Sequence, residues 1–129
     1  MIWLERRDVE TFHALQISEF GGLAGTRDVG ALESALGRPL NLSACGEPSL
    51  FELAASYAFG IARNHPFVDG NKRTALVSSF TFLTLNGWDV DVAETDAVLV
   101  FGDLAAGKLK ESELSKWLEK HSKRGKGIK

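Results

Sequence analysis

Apolar residues recur along most of this chain three and four positions apart, which is the spacing of helices with one buried face rather than of half-exposed strands. Val9, Phe12 and Leu15, with Gln16, mark a first helix that Asp8 can cap and Phe20-Gly21-Gly22 ends. The glycines between Gly21 and Arg27 predict a mobile loop or short hairpin. A second, short helix starts at Asp28, presents Leu32, Ala35 and Leu36 on one face and stops at Gly37-Arg38-Pro39, leaving Leu40 to Pro48 irregular. Ser49-Leu50-Phe51-Glu52 is a capping box, in which hydroxyl and carboxylate each satisfy an orphan amide at a helix start. Behind it Leu50, Leu53, Ala54, Tyr57, Ala58, Ile61 and Ala62 form an apolar stripe.

Pro66 lacks an amide proton and biases His65 toward extended backbone angles, so this third helix should end near Asn64. A loop follows. A fourth helix begins at about Asn71, passes Leu76, Phe80 and Leu83, and stops at Asn86-Gly87. Beyond its first turn the polar residues are chiefly Ser and Thr, which places it centrally, buried on most faces. Trp88 to Val92 alternates and suits a short extended piece; further helices cover Thr95 to Ala106 and Ser112 to about His121, the last with Leu114, Trp117 and Leu118 inward. The expected architecture is all-α: a single compact bundle over residues 1–122, with residues 123–129 as a basic, frayed and solvated tail. No internal repeat is visible.

At 129 residues the chain has the size of one domain, and its 44% hydrophobic and 25% charged residues are the balance of a globular protein. The net charge of -2 and pI near 5.9 give no general attraction to nucleic acid or anionic lipid, so any anion site must be local. That weighs against a DNA-binding helix-turn-helix, whose only support is the basic tail. Apolar stretches fall short of a bilayer span and the opening MIWLERRDVE is too charged for a signal peptide, so a cytoplasmic protein without membrane contact is expected. Cys45, the single cysteine, can form no internal disulfide and is expected to be partly buried. His13, His121, Trp3 and Trp117 read as surface or core residues.

The segment with chemistry is His65-Pro66-Phe67-Val68-Asp69-Gly70-Asn71-Lys72-Arg73, between two buried helices. The first amides of a helix lack internal partners and sit at the positive end of its dipole, so the backbone at Asn71, Lys72 and Arg73 is a ready anion site. Gly70 allows close approach of a ligand. Lys72 adds a point charge and Arg73 a planar fork that can hold two phosphate oxygens. Asp69 would repel the same ligand unless a hard cation such as Mg²⁺ lies between them, which makes it a candidate metal ligand. His65, able to accept a proton near neutral pH, stands where a general base for a hydroxyl would. Phe67 and Val68 read as core anchors. Local chemistry alone leaves another reading open, since Asp-Gly-Asn is a common turn and helix-cap sequence and cations often decorate helix ends.

At every defined position HPFVDGNKR resembles the Fic/Doc motif H-x-F-x-D/E-A/G-N-G/K-R. Phe20-Gly21-Gly22-Leu23-Ala24-Gly25-Thr26-Arg27-Asp28 is similar to the aromatic-Gly-Gly-Leu-x-Gly segment of Doc-type members, and the likeness covers nearly the whole chain. The resemblance implies a helical bundle with the motif between two central helices, and a flap at Gly21 to Arg27 that lies against a target protein. It implies His65 as general base, Lys72 and Arg73 as further catalytic residues, Asp69 as the Mg²⁺ ligand, and Phe67, Gly70, Asn71, Lys72 and Arg73 as the ATP-contacting set.

Lys72 divides the family's chemistries. Members that transfer AMP usually carry glycine there, whereas a lysine takes part of the anion hole and favours a reversed nucleotide with the γ-phosphate presented for attack. The leading expectation is therefore a Doc-like toxin and protein Ser/Thr kinase that phosphorylates a threonine of translation elongation factor Tu and arrests translation. Gly70, where Doc has alanine, and Pro66, more usual among adenylyltransferases, keep AMP transfer as the alternative; a catalytically idle binding module is the third. No glutamate precedes Gly or Asn, as self-inhibited members require, and the motif ends at Arg73-Thr74 without a second arginine. Inhibition in trans by an antitoxin of the Phd type, through a segment folding into a hydrophobic groove, is expected instead.

Overall fold

The computed structural model describes residues 1–125, and Lys126–Lys129 of the expected tail lie outside the described residues. Six helices and a two-stranded sheet follow one another as α1 (Arg6–Phe20), α2 (Val29–Cys45), α3 (Leu50–Asn64), α4 (Asn71–Leu85), β1 (Trp88–Val90), α5 (Glu94–Ala105), α6 (Glu111–Lys120) and β2 (Ser122–Arg124). Helices dominate, as the apolar spacing requires.

Helix α3 is the central element, flanked by α2, α4, α5 and α6. It is buried on nearly all sides from Phe51 to Ala62, wider than the single apolar stripe expected, and the expected Ser49–Glu52 capping box starts it. The approach to α2 is tight: a Cβ on Gly60 would stand 3.0 Å from Ala35, so a side chain there would push the two helices apart by a few tenths of an ångström. Against α3 lies α4, whose Thr74, Ser78 and Ser79 are buried together with Ala75, Phe82 and Leu83. Tyr57 and Phe82 pack ring on ring at 5.1 Å. The Tyr57 hydroxyl accepts a hydrogen bond from the Leu4 amide at 3.0 Å, tying the N-terminal segment to the core. Burial pushes the Tyr57 phenol above its ordinary pKa, with the Leu4 hydrogen bond acting in the opposite sense and Asp8 adding to the rise.

Four local expectations are corrected. Glu5 rather than Asp8 occupies the N-cap of α1; Asp8 sits one turn in and its carboxylate returns to the Glu5 amide at 2.8 Å. Pro39 does not stop α2, which continues to Cys45: the ring is buried in line with Leu32, Ala35 and Leu36, and packing on α3 outweighs the lost amide. Cys45, at the end of that extension, is exposed. Lys123 and Arg124 are not frayed but form β2, antiparallel to β1 with Trp88 opposite Arg124, whose guanidinium lies 5.0 Å from the indole. No described helix is long and apolar enough to cross a membrane.

Candidate active site

The loop between α3 and α4 is built by its own side chains. Asn71, at the first position of α4, is 7% exposed and turns its amide back on the loop: Oδ1 accepts from the Phe67 amide and Nδ2 donates to the Phe67 carbonyl, both at 3.0 Å. The same Nδ2 lies 3.4 Å from His65 Nδ1, a long contact that orients the ring and in which the ring nitrogen can only accept. Phe67 is buried to 1% beneath the loop, while Val68, expected beside it in the core, faces solvent. Alternation explains the difference, since consecutive side chains of an extended segment point to opposite faces. Gly70 closes the loop at φ 76° and caps α4.

His65 caps α3 in a left-handed conformation, φ 49° and ψ 56°, and is the one non-glycine residue at positive φ among the described residues. Pro66 was expected to hold it extended. Arg27 decides otherwise, donating from Nε to the His65 carbonyl at 2.7 Å and from an Nη to the Asn64 carbonyl at 2.9 Å. Its planar fork satisfies the orphan carbonyls of the helix end and holds the turned backbone in place. Arg27→Ala is therefore expected to cost about 1 kcal/mol of stability, read as a lower urea midpoint, with Arg27→Lys recovering part of it. An unchanged midpoint in Arg27→Ala would show that the fork does not hold this turn.

Arg27 belongs to the glycine-rich segment, which is neither a free loop nor a hairpin but an exposed strap bridged to the motif. Thr26 pairs antiparallel with Phe67, the Arg27 and Asp28 amides donate to the Pro66 carbonyl, and the Val68 amide donates to the Gly25 carbonyl at 3.1 Å. Where the strap passes Asp69, a Cβ on Gly22 would stand 2.8 Å from Oδ2. The Leu23 amide donates to that oxygen at 3.3 Å, and the Gly70 amide donates to Oδ1 at 2.9 Å.

A cavity of about 630 Å³ opens above these groups, lined by Phe20 of α1, by His65, Asp69, Gly70, Asn71, Lys72 and Arg73, and by Ala105 and Ala106 near the end of α5. The first amides of α4 face it without intrahelical partners. The structure brings together in this cavity every residue the sequence singled out except Phe67, whose burial confines it to shaping the loop from below. Both polar ends of the Asn71 side chain are committed to the loop, so its free group toward the cavity is the backbone amide. Arg73 rests over the Phe20 ring at 3.8 Å from the centroid. Its 3.8 Å approach to Glu94 adds little, because both side chains are solvated.

Asp69 is the only carboxylate among the described residues lining the cavity, and no described cluster of three His, Cys, Asp or Glu side chains could cage a metal. The donor set suits a hard cation that takes one carboxylate oxygen from the protein and the remaining positions from phosphate and water. It does not suit a thiolate or imidazole metal.

Two positions escaped the sequence reading. His13, on the buried stripe of α1 four residues after Val9, stacks on Phe67 with ring centroids 3.9 Å apart and bonds the Asp69 carbonyl. Its helical register with Val9 was the available signal, because a polar ring on a core face needs a partner. Arg27 carried no comparable signal, since its partners are backbone carbonyls 37 and 38 residues away.

The segment from His65 to Arg73 runs from the loop into the first turn of α4 and is strapped by a glycine-rich segment, and comparison with known proteins assigns the chain a class. The model of the Fic/DOC family matches residues 3–83, which include both strap and loop. The chain belongs to the Fic/DOC family. Within it, the chain is 41% identical over 100 residues to Toxin Doc of Mycolicibacterium smegmatis, covering 71% of this chain and 75% of that protein. It is 39% identical over 109 residues to Protein kinase doc of Escherichia phage P1, covering 84% and 86% respectively.

Proposed function

We propose that this chain is a Doc-like toxin that transfers the γ-phosphate of ATP to a threonine hydroxyl of elongation factor Tu, with Mg²⁺ at Asp69 and a Phd-type antitoxin holding it in check. The observation that carries the reading is the convergence, on one cavity, of the exposed His65 ring, the Asp69 carboxylate and the first turn of α4 bearing Lys72 and Arg73. The two relatives' names, a toxin and a protein kinase, support the same class.

In this scheme the α4 amides, Lys72 and Arg73 bind the phosphates and offset the charge that spreads over the transferred group. When bound, Mg²⁺ supplies further neutralisation of phosphate oxygens beside Asp69. The strap, whose outer face is exposed, lies against the target and presents its hydroxyl to His65. His65 takes the hydroxyl proton as the oxygen attacks the γ-phosphorus, the bond to the β-phosphate oxygen breaks, and ADP departs. Holding hydroxyl, base and phosphate at contact distance supplies most of the acceleration, because little covalent chemistry is left to the protein.

A second cavity of about 400 Å³ shares Gln16, Phe20 and Arg73 with the first and continues along Leu76, Val77, Phe80, Val92 and Val98. An antitoxin segment laying apolar side chains there would bear directly on Arg73 and Phe20.

Intact-protein mass spectrometry of elongation factor Tu incubated with this chain and Mg²⁺-ATP tests the proposal. A gain of one phosphate is expected. A gain of one AMP would move the chain to the adenylylating branch, and no change would remove elongation factor Tu as target.

A further inference from the structure

Helix α1 contributes one buried ionisable side chain that the scheme above leaves without a task. His13 is 5% exposed, lies flat on Phe67 at an interplanar angle of 6°, and places Nε2 2.8 Å from the Asp69 carbonyl oxygen. A carbonyl oxygen can only accept, so Nε2 carries the proton and donates it.

That carbonyl belongs to the Asp69–Gly70 peptide, whose other polar group, the Gly70 amide, donates to Asp69 Oδ1 at 2.9 Å. The carbonyl and the N–H of this rigid trans peptide point in opposite directions within its plane. With the carbonyl held toward α1, the N–H must point at the carboxylate; a rotated peptide would withdraw that donor and release Oδ1. Gly70 at φ 76° would tolerate such a rotation, because glycine has access to both halves of φ space. Glycine's freedom therefore leaves the orientation of this peptide to its two hydrogen bonds, one local to the Asp69 carboxylate and one to His13.

We propose that His13 is a positioning residue: it locks the Asp69–Gly70 peptide, and through it the direction of the Asp69 carboxylate. The inference rests on the reading of Asp69 as the metal ligand. Outer partners that orient a ligand typically change metal affinity by about 10- to 100-fold when removed. Packing and donation can be separated by substitution. His13→Phe keeps a ring on Phe67 and loses the donor, while His13→Gln keeps a side-chain N–H of similar reach and loses the ring.

Calorimetric titration of a non-hydrolysable ATP analogue, with and without Mg²⁺, compares wild type, His13→Phe, His13→Gln and Asp69→Ala. His13→Phe is expected to lose about tenfold in the Mg²⁺-dependent gain of affinity, with binding in the absence of Mg²⁺ unchanged, and His13→Gln to retain the gain. A wild-type gain in His13→Phe, or an equal loss in both variants, would overturn the proposal. Asp69→Ala separates the two levels: if it leaves the Mg²⁺ effect intact, the metal assignment falls and the peptide lock is judged without metal. Hydrogen exchange at the Gly70 amide serves for that, rising about tenfold in His13→Phe and not in His13→Gln; unchanged exchange in His13→Phe overturns the lock whatever Asp69 binds.

Discussion

His65→Ala is expected to lower phosphate transfer by about 100- to 10,000-fold, the range general-base removal usually spans, while leaving the fold intact. The ring is exposed and makes one long side-chain contact, at 3.4 Å to Asn71, so little packing is lost with it. What alanine gives up locally is tolerance of the left-handed backbone at φ 49°, where asparagine is also at ease. His65→Asn is therefore the companion variant: it should melt like wild type and transfer no better than His65→Ala. Initial rates with γ-labelled ATP, alongside thermal melts of all three chains, check both halves. A rate near wild type in either variant would remove His65 from proton transfer.

Asn71→Ala is expected to be damaging in a different way, lowering stability by about 2–4 kcal/mol, the cost of leaving two buried backbone groups without partners. The Phe67 amide and carbonyl both lose the side chain that closes the loop on itself. With the loop released, His65 loses its orienting contact and the anion site at the start of α4 loses its shape, so transfer should fall with stability. Asn71→Asp separates the contributions: it can still accept from the Phe67 amide, cannot donate to the carbonyl, and puts a negative charge beside the proposed phosphate site. Urea unfolding monitored by the three tryptophans measures the loss. A midpoint equal to wild type in Asn71→Ala would mean that the loop is held chiefly by the strap and by His13.

Comparison of Asn71 with Phe67 shows where a motif misassigns roles. Residue type reads Phe67 as a core anchor, as it is, whereas the motif resemblance sets it with Asn71 among ATP-contacting positions. In the fold, Phe67 and the Asn71 side chain are turned inward and build the loop, whereas His65, Asp69, Lys72 and Arg73 are turned to the cavity. The direction of each side chain follows from the antiparallel pairing of Thr26 with Phe67 and from the start of α4. Neither is visible in the nine residues themselves.

The ends of α3 and the start of α4 were legible because their causes are local: a capping box at Ser49, a proline at position 66, and a glycine that closes the loop before Asn71. The burial of Thr74, Ser78 and Ser79 in α4 was legible too, since serine and threonine in a helix without an amphipathic face imply burial, although the central place falls to α3. Where packing from another element outweighs the local preference, the sequence points the wrong way. Pro39 should end a helix and is instead carried through by the buried α2–α3 contact. Pro66 should hold His65 extended and is overruled by Arg27 reaching across from the strap. The chain's own residues thus determined which side chains could handle phosphate, because donor chemistry and helix-end amides are properties of short segments. Which of them face one cavity, and how α1 and the strap lock the loop that carries them, only the tertiary structure decided, because those contacts join residues 37 to 56 positions apart whose pairing no local preference encodes.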